Sequence, residues 1–262
     1  MIGALDGGQA WLRRFRQPGV PPRLRLVCLP HAGGGASAFR SWPHLLPEDV
    51  DMLAVCYPGR QDRFREPCVE RMDVMADLVT EALLPYAGEP LAVFGHSMGA
   101  SIAYEVAVRM EQRHGRRLAA LFVSGQAPPH RARYRDAHLR GDDALIADVR
   151  WLGGSGADAP AHPDLIELVL PALRADYALL AGYRRDPLYV LGTPVVAYAG
   201  RDDGEVSPDA LARWADVTEA GLTVRMFPGD HFYLVDAEAE LVADVSDRLG
   251  AFRNTGAGRD RP

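Results

Sequence analysis

The segment Leu91-Ala-Val-Phe-Gly95-His-Ser97-Met-Gly99-Ala100 constrains this chain more than any other. An apolar β-forming run enters a Gly-x-Ser-x-Gly pentapeptide, and residues 98–114 leave it with apolar side chains at three- and four-residue spacing. A strand that feeds straight into a helix needs a sharp turn, and glycines at 95 and 99 remove side chains where backbones must meet. Such a turn presents the Ser97 hydroxyl at the carboxyl edge of a sheet, beside the positive end of a helix.

The same alternation runs along the chain. Strand patterns fall at residues 23–29, 52–57, 91–95, 118–124, 194–199 and 222–227, and helical patterns at 69–86, 98–114, 208–217 and about 236–252. This order specifies an α/β domain with a mostly parallel central sheet flanked by helices. Ser207 and Pro208 form an expected N-cap and first helical residue. Residues 128–191 interrupt the alternation with helical periodicity and no strand, the pattern of an inserted helical lid within a single domain spanning 1–262. Within the insert, Leu145, Val149, Leu152, Leu165, Leu168, Val169, Leu173, Tyr177 and Leu180 are expected to turn an apolar face to a cleft. Residues 254–262 are rich in Gly, Arg and Asp and are expected to fray.

Composition removes several function classes. The net charge of -6 lacks the basic surface that nucleic-acid binding needs. All 29 cations other than histidine are arginine, so lysine-dependent Schiff-base, Ser-Lys and P-loop chemistry is excluded. Cys28, Cys56 and Cys68 have neither disulfide parity nor metal-ligand spacing, which points to a reducing compartment and no metal site. There is no apolar run of about 18 residues and no signal-peptide core, so a cytoplasmic protein without a membrane partner is expected.

A serine hydroxyl needs a histidine base and a carboxylate to orient it, and with this type of turn both follow later in the chain. Of the histidines after Ser97, His114 ends the following helix, while His130, His138 and His162 lie in or beside the insert. His231 follows the last strand pattern within Phe227-Pro-Gly-Asp-His-Phe232 and is the expected base. For the acid, Gly200-Arg-Asp-Asp203-Gly-Glu-Val206 follows a strand; glycine spacing and the aliphatic residue at 206 favour Asp203, with Asp202 the alternative and Glu205 remote. The other strand end that can carry an acid reads Gly125-Gln-Ala-Pro128, without a carboxylate. The loop Leu29-Pro-His-Ala-Gly-Gly-Gly35 lets backbone approach a substrate closely, and the N–H groups of Met98 and Ala32 are the expected oxyanion donors.

These segments, together with Tyr57-Pro-Gly-Arg-Gln-Asp-Arg63 and Leu170-Pro-Ala-Leu-Arg-Ala-Asp-Tyr177, resemble the stand-alone type II thioesterases of polyketide and non-ribosomal peptide synthases. The resemblance implies an α/β-hydrolase fold, a mobile lid and the triad Ser97, Asp203 and His231. It also implies hydrolysis of acyl groups from the phosphopantetheine arm of an acyl or peptidyl carrier domain, with no cofactor beyond that arm and a monomeric enzyme. The Tyr57–Arg63 stretch reads either as a brace for the active-site loop or as a contact for carrier or substrate. A general esterase, lipase-like hydrolase or peptidase and a non-catalytic carrier-binding protein are the alternative readings.

Overall fold

The computed structural model describes residues 10–152 and 163–253. Seven strands, β1 (Leu12–Arg13), β2 (Leu24–Leu29), β3 (Val50–Val55), β4 (Leu91–His96), β5 (Ala120–Ser124), β6 (Val195–Gly200) and β7 (Leu222–Phe227), form one sheet in the order β1-β3-β2-β4-β5-β6-β7. β1 is antiparallel to β3 and every other pairing is parallel. The helices are α1 (Met72–Leu83), α2 (Met98–His114), α3 (Asp142–Trp151), α4 (Pro163–Ala181), α5 (Pro208–Ala212), α6 (Tyr233–Asp236) and α7 (Glu238–Arg253). This is the helix-flanked, mostly parallel sheet expected of an α/β-hydrolase fold, with α3 and α4 inserted between β5 and β6.

Strands buried on both faces explain the nearly continuous apolar runs. Val27, Leu29, Val93, Leu121, Val123 and Ala197 point into one core with α1 and α2. Their neighbours Leu26, Cys28, Phe94, Phe122 and Tyr198 point into the other, with Trp42 and the α7 residues Leu241, Val242, Val245 and Leu249. Each fully buried large side chain contributes about 1.5–3 kcal/mol. α2 is buried on nearly all sides from Met98 to Met110. Its Glu105 is neutralised in place by Arg109 at 2.5 Å and Arg185 at 2.9 Å, and accepts from the Tyr183 hydroxyl at 2.7 Å. Gly115 ends α2 at φ 61°, with its N–H on the Glu111 carbonyl at 3.1 Å.

Several expected boundaries shift. β3 begins at Val50 and ends at Val55, two residues earlier than the pattern 52–57. β5 starts at Ala120 because the Leu118 N–H bonds the Thr193 hydroxyl rather than a strand. α1 occupies only Met72–Leu83 of 69–86, and Pro85 sits in the tight turn Leu84–Tyr86 that follows. The pattern 208–217 divides into α5 and a 3-10 turn, Arg213–Val217, while the pattern at about 236–252 corresponds to α7 and the short α6 precedes it. Ser207 caps α5 as expected, accepting from the Ala210 N–H at 3.2 Å. Between β5 and β6 the described residues contain an isolated bridge at Leu191 but no strand. Residues 254–262 lie outside the described residues.

Candidate active site

β2 and β4 lie side by side, while the chain leaves β2 toward β3 on one side and continues from β4 to β5 on the other. Their carboxyl ends therefore flank a topological switch point, where parallel sheets open a crevice. The loop after β2 carries Ala32, and the turn after β4 carries Ser97. The loops after β6 and β7 carry Asp203 and His231.

Ser97 is held at φ 55° and ψ -119°, a backbone conformation that costs a non-glycine residue about 1–3 kcal/mol. Its N–H donates to the Ser124 carbonyl at 2.7 Å, so β5 anchors the turn. Both motif glycines are obligatory on steric grounds. A Cβ on Gly95 would lie 2.2 Å from the Gly99 carbonyl oxygen, and one on Gly99 would lie 2.1 Å from the Leu29 carbonyl oxygen. As the first residue of α2, Met98 has an N–H without an intrahelical acceptor.

The β6 and β7 loops interlock. The Asp202 N–H donates to the Gly229 carbonyl at 2.9 Å, and a Cβ on Gly200 would lie 2.1 Å from the Asp230 carbonyl oxygen. This close approach places Asp203 Oδ2 3.0 Å from His231 Nδ1, with side chains 0% and 4% exposed. The other oxygen of Asp203 accepts the Glu205 N–H at 2.9 Å. An ionised carboxylate only accepts, so Nδ1 of His231 carries the proton and Nε2 keeps its lone pair. Of the two adjacent aspartates, Asp203 meets the histidine, while Asp202 is exposed. His130 pairs with Asp216 at 3.0 Å instead, and His162 lies outside the described residues.

Ser97, His231, His31 and Ala32 line one cavity of about 430 Å³. Val149, Leu152, Val169, Leu173, Tyr177 and Leu180 of the insert line it as the sequence suggested. Two residues of that expected face lie elsewhere. Leu145 packs into a satellite core with Ala137, Leu173 and Tyr177, and Leu168 is exposed because it lies on the opposite side of α4 from Leu173 and Tyr177. The side chain of Leu165 lies outside the described residues. The cavity wall also has a polar stretch: Arg135 joins Asp148 at 2.6 Å and Glu205, and the Tyr177 hydroxyl donates to Asp148 at 2.9 Å. Sequence reading missed this network, whose members are scattered from residue 135 to residue 205.

Rings crowd the histidine. His96 lies 5.0 Å and Phe232 5.2 Å from the His231 centroid, and His31 packs edge-on to Phe232 at 4.9 Å. Burial, with the neighbouring His231 and Arg60 charges, pulls the His31 imidazole down to about 4. Burial pulls His96 well below the ordinary histidine value, helped by His231 and His31. His96 Nδ1 bonds the Ser124 hydroxyl at 2.9 Å, and that hydroxyl bonds the Tyr233 hydroxyl at 2.7 Å. Among the described residues no group of three or more His, Cys, Asp or Glu is arranged to hold a metal ion, and no helix is long and apolar enough to cross a membrane.

Comparisons with known proteins identify the family and the fold. The thioesterase PikA5 of Streptomyces venezuelae is 43% identical over 246 residues, covering 94% of this chain and 87% of that protein. The solved type II thioesterase BorB, from the borrelidin biosynthetic cluster, superposes with a TM-score of 0.84 at 38% identity, covering 92% of this chain and 98% of BorB. YbtT, a type II thioesterase from the yersiniabactin NRPS/PKS biosynthetic pathway, does so with a TM-score of 0.82 at 27% identity, covering 92% and 99%. The thioesterase domain family profile matches residues 24–249, and the chain belongs to that family.

Proposed function

We propose that this chain is a serine thioesterase of the type II class, releasing acyl groups from the phosphopantetheine arm of a carrier protein in a polyketide or non-ribosomal peptide assembly line. The observation that carries the reading is the buried His231, paired with Asp203 and opening onto the same cavity as the strained Ser97. The likeness to BorB and YbtT supports the substrate class.

In this reading Ser97 Oγ attacks the thioester carbonyl carbon while Nε2 of His231 takes its proton. Asp203 holds the imidazole tautomer and favours the imidazolium. The carbonyl electrons move onto oxygen, where the Met98 and Ala32 N–H groups receive them; one such donor is worth about 2.7–4 kcal/mol in the transition state. Collapse breaks the C–S bond, and the thiol leaves with the proton held by His231. Water then gives a proton to His231 and attacks the Ser97 ester, releasing the free acid and restoring the serine. The chain itself supplies every group these steps use.

The test is intact-mass spectrometry of acyl-phosphopantetheinyl carrier protein incubated with the enzyme or with Ser97→Ala. The acyl mass is expected to disappear with the native enzyme alone. Its persistence with both, while the native enzyme still cleaves a simple oxygen ester, would instead assign a general esterase.

A further inference from the structure

The expected oxyanion donor Ala32 lies in a glycine-rich loop that has little stiffness of its own, yet the peptide units around it are held from three directions. On one side the Tyr57 hydroxyl donates to the Pro30 carbonyl at 3.3 Å. On the other, the Gly33 N–H donates to Asp176 Oδ2 at 2.8 Å, and Arg60 Nη1 donates to the Gly34 carbonyl at 2.8 Å. Arg60 and Asp176 also bind each other twice, at 2.7 and 2.9 Å, with side chains only 8% and 1% exposed. Gln61, at φ 52°, accepts the Ala36 N–H at 3.1 Å and donates to the Ser37 hydroxyl at 2.8 Å. Among the described residues, Gln61 and Ser97 are the only non-glycines at positive φ.

We propose that Asp176 and Arg60 are positioning residues that hold the Ala32 N–H toward the oxyanion, so that α4 of the insert is an integral support of the catalytic loop. The proposal rests on the thioesterase reading above. Two physical arguments favour it over a purely stabilising pair. Buried ion pairs contribute little net stability compared with apolar side chains of the same size. This pair also leaves Arg60 Nε buried without a partner, a cost that stability alone does not explain. The three guanidinium hydrogen bonds of Arg60 go instead to Asp176, twice, and to the backbone of the loop that carries Ala32.

The experiment compares the native enzyme with Arg60→Met/Asp176→Leu, which removes the pair without stranding a charge, and with Asp176→Asn. A misplaced donor weakens only the transition state, so kcat should fall about 10–100-fold while KM stays within about threefold. Phosphonylation of Ser97 by a fluorophosphonate, whose product places an oxygen in the same hole, should slow in parallel. A folded double variant with kcat and phosphonylation rate within about twofold of native would overturn the proposal. If the double variant does not fold, a lower melting temperature of Asp176→Asn with unchanged kcat has the same meaning. If the native enzyme cleaves no carrier thioester yet is phosphonylated at Ser97, the substrate reading fails, and the relative phosphonylation rates still decide the positioning role. Absence of Ser97 labelling in the native enzyme overturns both.

Discussion

Asp203 Oδ2 lies 3.0 Å from His231 Nδ1, and neither side chain is more than 4% exposed. The adjacent Asp202, one residue away in sequence, stands in solvent. Asp203→Asn should therefore lower kcat about 10³–10⁴-fold by stabilising the wrong imidazole tautomer, whereas Asp202→Asn should leave it within about twofold. Steady-state hydrolysis of an acyl-carrier substrate distinguishes them, and equal losses would contradict the assignment.

Val149 of α3 lines the same cavity as Ser97, from the inserted helices. Val149→Phe should shorten the accessible chamber, lowering kcat/KM for an octanoyl carrier at least tenfold while acetyl stays within about threefold, a discrimination of about 1–3 kcal/mol. A chain-length series with one carrier protein measures it. Uniform loss would move the chain-length determinant elsewhere.

The half-buried His31 and the buried His96 both affect acid stability. His31, held at about 4, and His96, held well below its usual value, stay neutral in the folded state where the unfolded chain binds protons near 6.5. The unfolded state then binds more protons, so stability is full above 6.5 and declines as pH falls toward 4, by at most about 1.4 kcal/mol per pH unit for each group. Carboxylates held low by arginine partners, such as Asp77 and Asp244, titrate below that window. Urea unfolding between pH 7 and 4.5 should show the slope, and His96→Asn should flatten it.

Glu105 lies in the middle of α2 with Arg109, Arg185 and Tyr183 all bonded to its carboxylate. Glu105→Ala strands buried arginine charge and should cost about 3–5 kcal/mol of unfolding free energy. None of these four residues lines the cavity itself, so kcat per folded molecule should change little. Chemical denaturation paired with active-site titration separates the two effects.

Much of this was legible in the sequence because the relevant signals are local. The strand-turn-helix around Ser97, the Ser207 cap and the spacing from Gly200 to Asp203 are short-range patterns with direct steric or hydrogen-bond causes. β1 was not legible, since two residues at an antiparallel edge carry no periodicity. α6 was not legible either, because a helix of one turn is too short to show a helical repeat. The Arg60–Asp176 pair spans 116 residues, and no periodicity reports such a distance. Its sequence signals were the Tyr57–Arg63 and Leu170–Tyr177 stretches, which hold Arg60 and Asp176; of the two readings of Tyr57–Arg63, the contacts of Arg60 and Gln61 fit a brace for the active-site loop.

Gly125 sits at φ 59° at the end of β5, where a Cβ would come within 2.8 Å of His96 Cε1 and 3.2 Å of His231 Cε1. The strand end that could otherwise donate a carboxylate is thus crowded first by His96 and then by the histidine that would receive it. An aspartate introduced at position 125 would meet His96 before it could serve His231, so loss of Asp203 has no rescue from that position. Moving the acid of the triad to position 125 would therefore require His96 to shrink first.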